Sequence, residues 1–315
     1  MACLAEEGFY CAGRADLFTE GSKGMLTTQP PTNQAGPTLD DTVRRIEEIS
    51  TLPHVAMRVM EVASDPDSGA IDLKEALECD AALSARVLRC VNSSAYATRA
   101  QIGNLPQAIA YLGMRQVRNL ALTASVGELF KKDEGIGPYR RQQLWRHLVA
   151  VGICARLIAM RRSISSFEDA FLAGLLHDIG IVLEDQHVHA RFCTVIGSLD
   201  GTTTLAEVER NHLGFDHTQL GEKVAETWGF PDSVRAAIRY HHASASYQGE
   251  EMGMVQCVEV ANLICTLKEI PSVGLKLVEA SPSALEGLSL AKEDVAVLAD
   301  SLDDELAANA SLFDV

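Results

Sequence analysis

His177 and Asp178 stand side by side in an otherwise apolar run, residues 171–181, that resembles the wall of a helical core. Charged side chains are rarely buried unless they are paired or bind a metal, and an uncompensated buried carboxylate costs several kcal/mol. Asp178 therefore needs a partner. That partner could be a metal ion, a cationic side chain, or a set of backbone and side-chain donors.

Further histidines on or near apolar helical patterns favour the metal. They are His147, His212, His217, His241 and His242. Imidazole is the commonest metal ligand in proteins, and a carboxylate among imidazoles suits iron, manganese or zinc. Adjacent helical residues point about 100° apart. His177 and Asp178 can thus reach one ion at a helix crossing, and Asp178 can bridge to a second, with Gly174 and Gly180 leaving room for another helix.

The chain of 315 residues has an ordinary globular composition, 47% apolar and 22% charged, with a formal net charge of −16. The acidic balance argues against a nucleic-acid partner, because phosphate contacts need clustered Lys and Arg. Eight cysteines without a CxxC pair indicate a reducing cytoplasm. The longest apolar stretch, residues 148–160, is too short to span a membrane, and no secretory signal is evident.

Hydrophobic periodicity predicts an all-α chain with two helical lobes. A mobile tail covers residues 1–37, an N-terminal helical lobe residues 38–130, a second helical lobe with the histidine and aspartate cluster residues 139–270, and acidic C-terminal helices residues 271–315. The polar stretch 131–138 is predicted to be the hinge. In the second lobe, one helix over residues 139–161 carries His147 and one over residues 167–184 carries His177 and Asp178. A helix capped by Asp216 carries His217, and the next runs to His242.

The ordered set His147, His177-Asp178, His217 and His241-His242 resembles the ligands of the HD superfamily of metal-dependent phosphohydrolases. Further motifs resemble the HDOD family, the HD-related output domain of bacterial signalling proteins. They are Leu52-Pro53, the stretch 80–96 ending in Asn92-Ser93-Ser94-Ala95-Tyr96, the stretch 108–113 and the stretch 118–122. The resemblance covers about two-thirds of the chain. It implies one or two divalent ions at these six residues, with iron or manganese favoured over zinc.

Two departures set the chain apart from catalytic relatives. Asn262 stands where HD enzymes usually have a late aspartate, and an amide is a weaker ligand than a carboxylate. The related HD-GYP phosphodiesterases carry a lysine after His-Asp-Ile-Gly and a Gly-Tyr-Pro after the His-His pair. Here Ile181 replaces the lysine, and residues 243–247 contain no such tripeptide.

These observations favour a cytoplasmic bacterial regulatory protein that acts by binding, with a retained metal site and little catalysis. Its predicted partners are signalling proteins and a nucleotide second messenger, without nucleic acid or membrane. The alternative is a metal-dependent phosphohydrolase in which Asp178 orients the attacking water. A third interpretation is a relic without metal, in which His147 and His177 form hydrogen bonds with Asp178. For His54, His187 and His189, at helix edges or in loops, an ordinary structural role is favoured.

Overall fold

A computed structural model of the chain describes residues 36–49, 54–93, 96, 101–132, 135–164, 166–278 and 281–313. The predicted mobile tail lies outside this part except for its last two residues, and so do Leu52-Pro53 and Ser94-Ala95 of the family motifs. The prediction of an all-α fold is confirmed, because the described chain is helical apart from one small hairpin.

The first six helices correspond to the predicted N-terminal lobe. They are α1 (Leu39–Ile49), α2 (His54–Ser64), α3 (Ala70–Glu78), α4 (Ala81–Val91), α5 (Leu105–Leu112) and α6 (Met114–Val126). The Asp80 side chain caps α4 by accepting from the backbone N–H of Leu83. Helix α6 packs against α2, α4 and α5. It is the central helix of this region.

Asn92 ends α4 and connects it to the loop before α5. Its Nδ2 donates to the Leu88 and Ile102 carbonyls at 2.7 and 2.9 Å, and its Oδ1 accepts from the Ile102 N–H at 2.8 Å. The interpretation of Asn92 as a helix-ending residue is therefore confirmed.

A hairpin begins in the predicted hinge and extends past it to Arg140. Strands β1 (Gly135–Ile136) and β2 (Tyr139–Arg140) pair antiparallel, with Gly137 at φ 52° in the turn. Tyr139 was predicted to open the following helix, but it lies in β2 and its hydroxyl donates to Asp185 at 3.1 Å. This buried contact holds Tyr139 outside the helix. The lobe boundaries themselves stay a prediction.

Eight helices follow in the second region. They are α7 (Arg141–Arg161), α8 (Phe167–Leu176), α9 (Ile179–His187), α10 (His189–Gly197), α11 (Leu205–Leu213), α12 (His217–Thr227), α13 (Asp232–Tyr240) and α14 (Met252–Leu267). Helix α7 packs along α8 and also contacts α14. Among the described helices it alone is long and apolar enough to cross a membrane, yet 72% of that apolar window is buried inside the fold.

The single helix predicted over residues 167–184 is wrong, because the chain breaks between α8 and α9. Asp178 has φ −105° and ψ 19°, outside the helical region, and precedes α9 without a side-chain capping hydrogen bond. The ring Nδ1 of His177 donates to the Gly174 carbonyl at 2.8 Å. The break therefore falls at the two polar residues, whose side chains turn toward a common centre.

Glycines allow the helices around this centre to approach closely, as predicted. A Cβ on Gly174 would lie 2.7 Å from Gly152 Cα, so α7 and α8 meet backbone to backbone. A Cβ on Gly180 would lie 2.0 Å from the His217 carbonyl oxygen. Both contacts are too short for any larger residue.

A buried polar network joins α6 to α8. Arg118, almost fully buried, contacts Asp169 at 2.7 Å and donates to the Asn119 side chain at 2.9 Å. Asn119 in turn donates to the Glu168 carbonyl at 2.7 Å. The two helical regions therefore share polar contacts as well as apolar surface.

The C-terminal helices cover the second region. They are α15 (Pro282–Gly287) and α16 (Lys292–Ala308). Helix α16 packs on α7 with Leu298 and Leu302 buried, while Val295 and Leu306 are partly buried against the core. The predicted apolar stripe of this acidic helix is confirmed.

Candidate metal centre

Helix ends position most of the six predicted ligands. His177 and Asp178 occupy the break between α8 and α9, His217 is the first residue of α12, and His241 and His242 follow the end of α13. Only His147 lies inside a helix, α7. Five of the six are fully or almost fully buried, and His242 is exposed.

Asp178 lies at the centre, and its two carboxylate oxygens face two different sets of histidines. Its Oδ2 is 3.2 Å from His177 Nε2 and 3.8 Å from His147 Nε2. Its Oδ1 is 3.1 Å from His241 Nε2 and 3.3 Å from His217 Nε2. His242 Nε2 lies 3.1 Å from His217 Nε2. The donors thus form two groups that share Asp178.

Hydrogen bonds fix the tautomers of three rings. The Nδ1 atoms of His147, His177 and His241 each face a backbone carbonyl, that of Ile270 at 2.6 Å, Gly174 at 2.8 Å and Ile238 at 2.9 Å. A carbonyl only accepts, so each Nδ1 carries the hydrogen and each neutral ring has a lone pair on Nε2. His147 Nε2 and His177 Nε2 nevertheless lie only 3.3 Å apart. Two facing lone pairs repel unless a cation lies between them.

The second group shows the same arrangement. Asp178 Oδ1 and His241 Nε2 are buried and 3.1 Å apart, and neither atom has a partner of good hydrogen-bond geometry among the described residues. Donor atoms about 2.1 Å from one ion are about 3.0 to 3.4 Å apart at octahedral or tetrahedral angles. Most of the distances around Asp178 match this range. The residues therefore fit a metal ion in each group, and the identity of the metal stays a prediction.

Burial keeps His147 in the neutral form that a metal ligand needs. Burial, together with the neighbouring His177, lowers the pKa of His147 to about 4, so His147 is neutral near pH 7. Burial alone would raise the pKa of Asp178, but the surrounding imidazoles, first His177, hold it well below its usual value. A charged carboxylate thus lies beside the neutral ring of His147.

Glu209 contacts His217 on the Nδ1 side of the ring, opposite the Nε2 atom that faces Asp178. The sequence analysis did not identify Glu209. Its Oε2 accepts from both the backbone N–H and the ring Nδ1 of His217, at 2.9 and 2.6 Å. Burial opposes protonation of His217, yet the Glu209 carboxylate raises its pKa to about 9. A proton and a metal ion therefore compete for the Nε2 side of this ring.

Glu184 is a second buried acid, and it lies next to Glu209. It is fully buried, and burial followed by the adjacent Glu209 carboxylate raises its pKa well above the usual value. A neutral Glu184 can donate to Glu209. The sequence carried the signal, since Glu184 follows the apolar run 179–183 as Asp178 follows its own run.

A cavity of about 530 Å³ opens above Asp178, His217 and His242. Its rim includes Arg210, which pairs with Asp216 at 2.5 Å, and Lys276, which pairs with Glu269 at 3.2 Å. This volume is in the usual range for small-molecule sites. The arrangement joins cation ligands on the floor to basic side chains at the rim.

The remaining histidines lie elsewhere. His54, His187, His189 and His212 belong to neither donor group among the described residues. His189 instead contacts Asp185 at 2.9 Å. Asn262 is fully buried on α14, where its Oδ1 accepts from the Thr266 hydroxyl at 3.5 Å.

Fold and centre together define a helical HD-like protein with a buried His/Asp cluster. The HDOD domain model matches residues 49–244, and the chain belongs to the HDOD family. The prediction of this family from the sequence motifs is confirmed.

Solved structures agree with the fold. The chain is similar to an HDOD domain protein with unknown function from Geobacter sulfurreducens, with 26% identity, a TM-score of 0.70, and coverage of 88% of this chain and 97% of the other. A candidate signal transduction protein from Marinobacter aquaeolei VT8 gives 24% identity, a TM-score of 0.70, and coverage of 87% and 63%.

A curated relative is longer than this chain. An uncharacterized protein of Treponema pallidum (strain Nichols) is 24% identical over 229 residues, which are 70% of this chain but only 42% of the relative. The chain thus spans less than half the length of that relative.

Proposed function

We propose that this chain is a cytoplasmic bacterial signal-transduction protein whose metal centre and overlying cavity bind a phosphoester ligand, such as a nucleotide second messenger. The binding state is read by a protein partner. The observation that carries the proposal is the pair of donor groups sharing Asp178 beneath an accessible cavity with basic side chains at its rim. Iron or manganese suits a donor set of imidazole and carboxylate without thiolate.

Each part of the centre has a defined task. His147, His177 and Asp178 would hold one ion, and Asp178, His217, His241 and His242 the other. Ions bound there would supply positive charge and Lewis acidity toward phosphate oxygens. Lys276 and Arg210 at the rim would contact the same anion. The backbone carbonyls and Glu209 keep the ring orientations fixed before any ligand arrives.

Three sequence features favour binding over turnover. Asn262 stands where catalytic HD enzymes usually have an aspartate. Ile181 stands where HD-GYP phosphodiesterases have a lysine, and the residues after His242 lack the Gly-Tyr-Pro of that class. Loss of substrate positioning alone can remove several orders of magnitude in rate. We therefore expect a ligand to bind without rapid cleavage.

A metal-dependent phosphohydrolase is the second candidate. It is favoured by the position of Asp178, which faces both donor groups at the floor of the cavity. Two ions held about 3.5 to 4 Å apart are the usual clamp for in-line displacement at phosphorus. In this case Asp178 would bridge the ions, and the rim cations would hold the phosphoester.

One experiment distinguishes the two candidates. Metal-loaded chain is titrated with cyclic di-GMP by calorimetry, and its turnover of cyclic di-GMP and of a chromogenic phosphodiester is measured in parallel. The double variant His177→Ala/Asp178→Ala is the blank, and Lys276→Gln tests the rim. Saturable binding that Lys276→Gln weakens, with turnover near the blank, supports the binding protein. Turnover of about 1 per second or faster, absent from the blank, would establish the enzyme instead.

A further inference from the structure

A second cavity lies between α4, α6 and the segment after α16, and it shares no lining residue with the cavity over the metal centre. Its volume is about 370 Å³, within the range of small-molecule sites. Arg86 and Arg89 reach it from α4, Glu128 and Lys131 from the turn that follows α6, and Trp145 from α7. Side chains from α4, from α6 and the turn after it, from α7 and from the segment after α16 therefore line one cavity.

Positive charge is concentrated at this cavity although the chain is strongly acidic. Three cations and one carboxylate line it, in a chain of formal net charge −16. Glu128 is shared, with Oε1 3.0 Å from Arg86 and Oε2 2.7 Å from Lys131. Arg89 has no acidic partner among the described residues. One carboxylate thus cannot neutralise the group, and the cavity attracts an anion.

Unmet hydrogen-bonding capacity points to the same conclusion. The Nε of Arg86 is buried and has no partner within the described chain. Buried polar groups are normally satisfied, so an exception calls for a missing partner. Guanidinium groups form their strongest hydrogen bonds with carboxylate and phosphate oxygens, often two at a time. Two arginines and a lysine around one space suit the several oxygens of a phosphate.

Trp145 connects this cavity to the metal centre. Its ring is almost fully buried beside Phe130, at 5.2 Å between centroids, and its Nε1 donates to the Leu312 carbonyl at 3.2 Å. It lies two residues before His147 on the same helix. A ligand in the cavity therefore contacts the helix that also carries a predicted metal ligand.

We propose that this cavity is a second ligand site, which binds a small phosphate-bearing anion through Arg86, Arg89 and Lys131. Without a ligand, Glu128 pairs with Arg86 and Lys131, and a bound phosphate replaces Glu128 as the partner of these two cations. The inference does not depend on the function proposed for the metal centre, because the two cavities have separate linings.

The test is calorimetric titration of the full chain with inorganic phosphate and, separately, with adenosine monophosphate. Tryptophan fluorescence is followed in a Trp228→Phe background, where Trp145 is the remaining tryptophan of the sequence. Arg89→Gln removes an exposed cavity cation, and Arg115→Gln is its control, since Arg115 is an exposed arginine on α6 outside the cavity lining. Arg89→Gln should weaken binding about tenfold or more, as expected for a charge-assisted contact. Arg115→Gln should bind as the unmodified chain does. Binding of phosphate alone would indicate a free-anion site, and binding of the nucleotide alone a nucleotide site.

Glu128→Gln gives a result of opposite sign. Removing the competing carboxylate should tighten binding, whereas a merely structural role for Glu128 would leave it unchanged or weaken it. Lys276→Gln, at the other cavity, should leave the Trp145 fluorescence response unchanged. The proposal is overturned if neither probe binds up to about 10 mM, where even a millimolar site would be filled. It is also overturned if Arg89→Gln behaves like Arg115→Gln, or if Lys276→Gln abolishes binding and Arg89→Gln does not.

Discussion

Gly180→Ala should separate two ligands of the metal centre by adding a single methyl group. The new Cβ would lie 2.0 Å from the His217 carbonyl oxygen, whereas ordinary van der Waals contact begins at 3.4 Å. The carbonyl carbon and the Cα of His217 would be 2.7 and 2.8 Å from the new Cβ. All three atoms belong to the backbone, so no side-chain rotation relieves the clash. The backbone of α9 or α12 must therefore move by more than 1 Å.

The clash outweighs the usual benefit of the substitution. Alanine is favoured over glycine in a helix by about 0.5 to 1 kcal/mol. Overpacking costs about 1 to 3 kcal/mol, and a contact with backbone belongs at the upper end. We expect a net loss of about 1 to 2 kcal/mol in the free energy of unfolding. We also expect weaker metal binding, because the 3.3 Å distance between His217 Nε2 and Asp178 Oδ1 would lengthen.

Denaturant unfolding and metal content would be measured together. The control is Gly197→Ala in α10, where a Cβ meets nothing within 4 Å and stability should hold or rise. If Gly180→Ala matched this control in both stability and metal content, the inferred close packing of α9 on α12 would be refuted.

Three further changes test the surroundings of the centre. Glu209→Gln keeps an acceptor for His217 but removes its charge, so metal affinity measured by titration should fall about 10- to 100-fold; unchanged affinity would exclude a supporting role. Burial and Glu209 raise the pKa of Glu184 in the folded chain. Folded Glu184 therefore keeps a proton that Glu184 in the unfolded chain releases near the ordinary pKa of 4.5. The unfolding free energy should therefore fall as pH rises above that value, and Glu184→Gln should lose this component; parallel pH profiles would contradict the assignment. Arg118→Met should cost about 3 kcal/mol in denaturant unfolding by stranding Asp169, and a second change, Asp169→Leu, should recover part of it. Additive losses would show that the pair is not coupled.

The family could be predicted because its motifs stand in order along the chain, and the candidate centre because a buried charge in an apolar run requires a partner. Asp178 required a partner wherever the chain placed it, and Gly174 and Gly180 indicated close helix crossings. The break at His177-Asp178 could not be predicted, since apolar periodicity continues through residues 179–183. It accompanies tertiary contacts such as the close packing of α9 on α12, where a Cβ added to Gly180 would lie 2.0 Å from the His217 carbonyl oxygen.

Features that depend on how the helices pack also could not be predicted from the sequence. Glu209 lies on α11 and accepts hydrogen bonds from His217 on α12, and no local sequence pattern predicts this contact. The second cavity combines Arg86 on α4, Lys131 after α6 and Trp145 on α7, and only the packing of these helices brings the cations together. Glu184 is different, because the reasoning applied to Asp178 would have identified it.

The metal content of purified protein tests the central inference most directly. Chain prepared without chelator and supplied with iron or manganese should hold about two ions, because Asp178 faces one donor group with each of its two oxygens. Asp178→Ala should lose both ions, whereas His242→Ala, at the exposed edge of the second group, should retain the ion held by His147 and His177. Folded wild-type chain that takes up neither metal, or an Asp178→Ala variant that keeps both ions, would contradict a metal centre organised around Asp178.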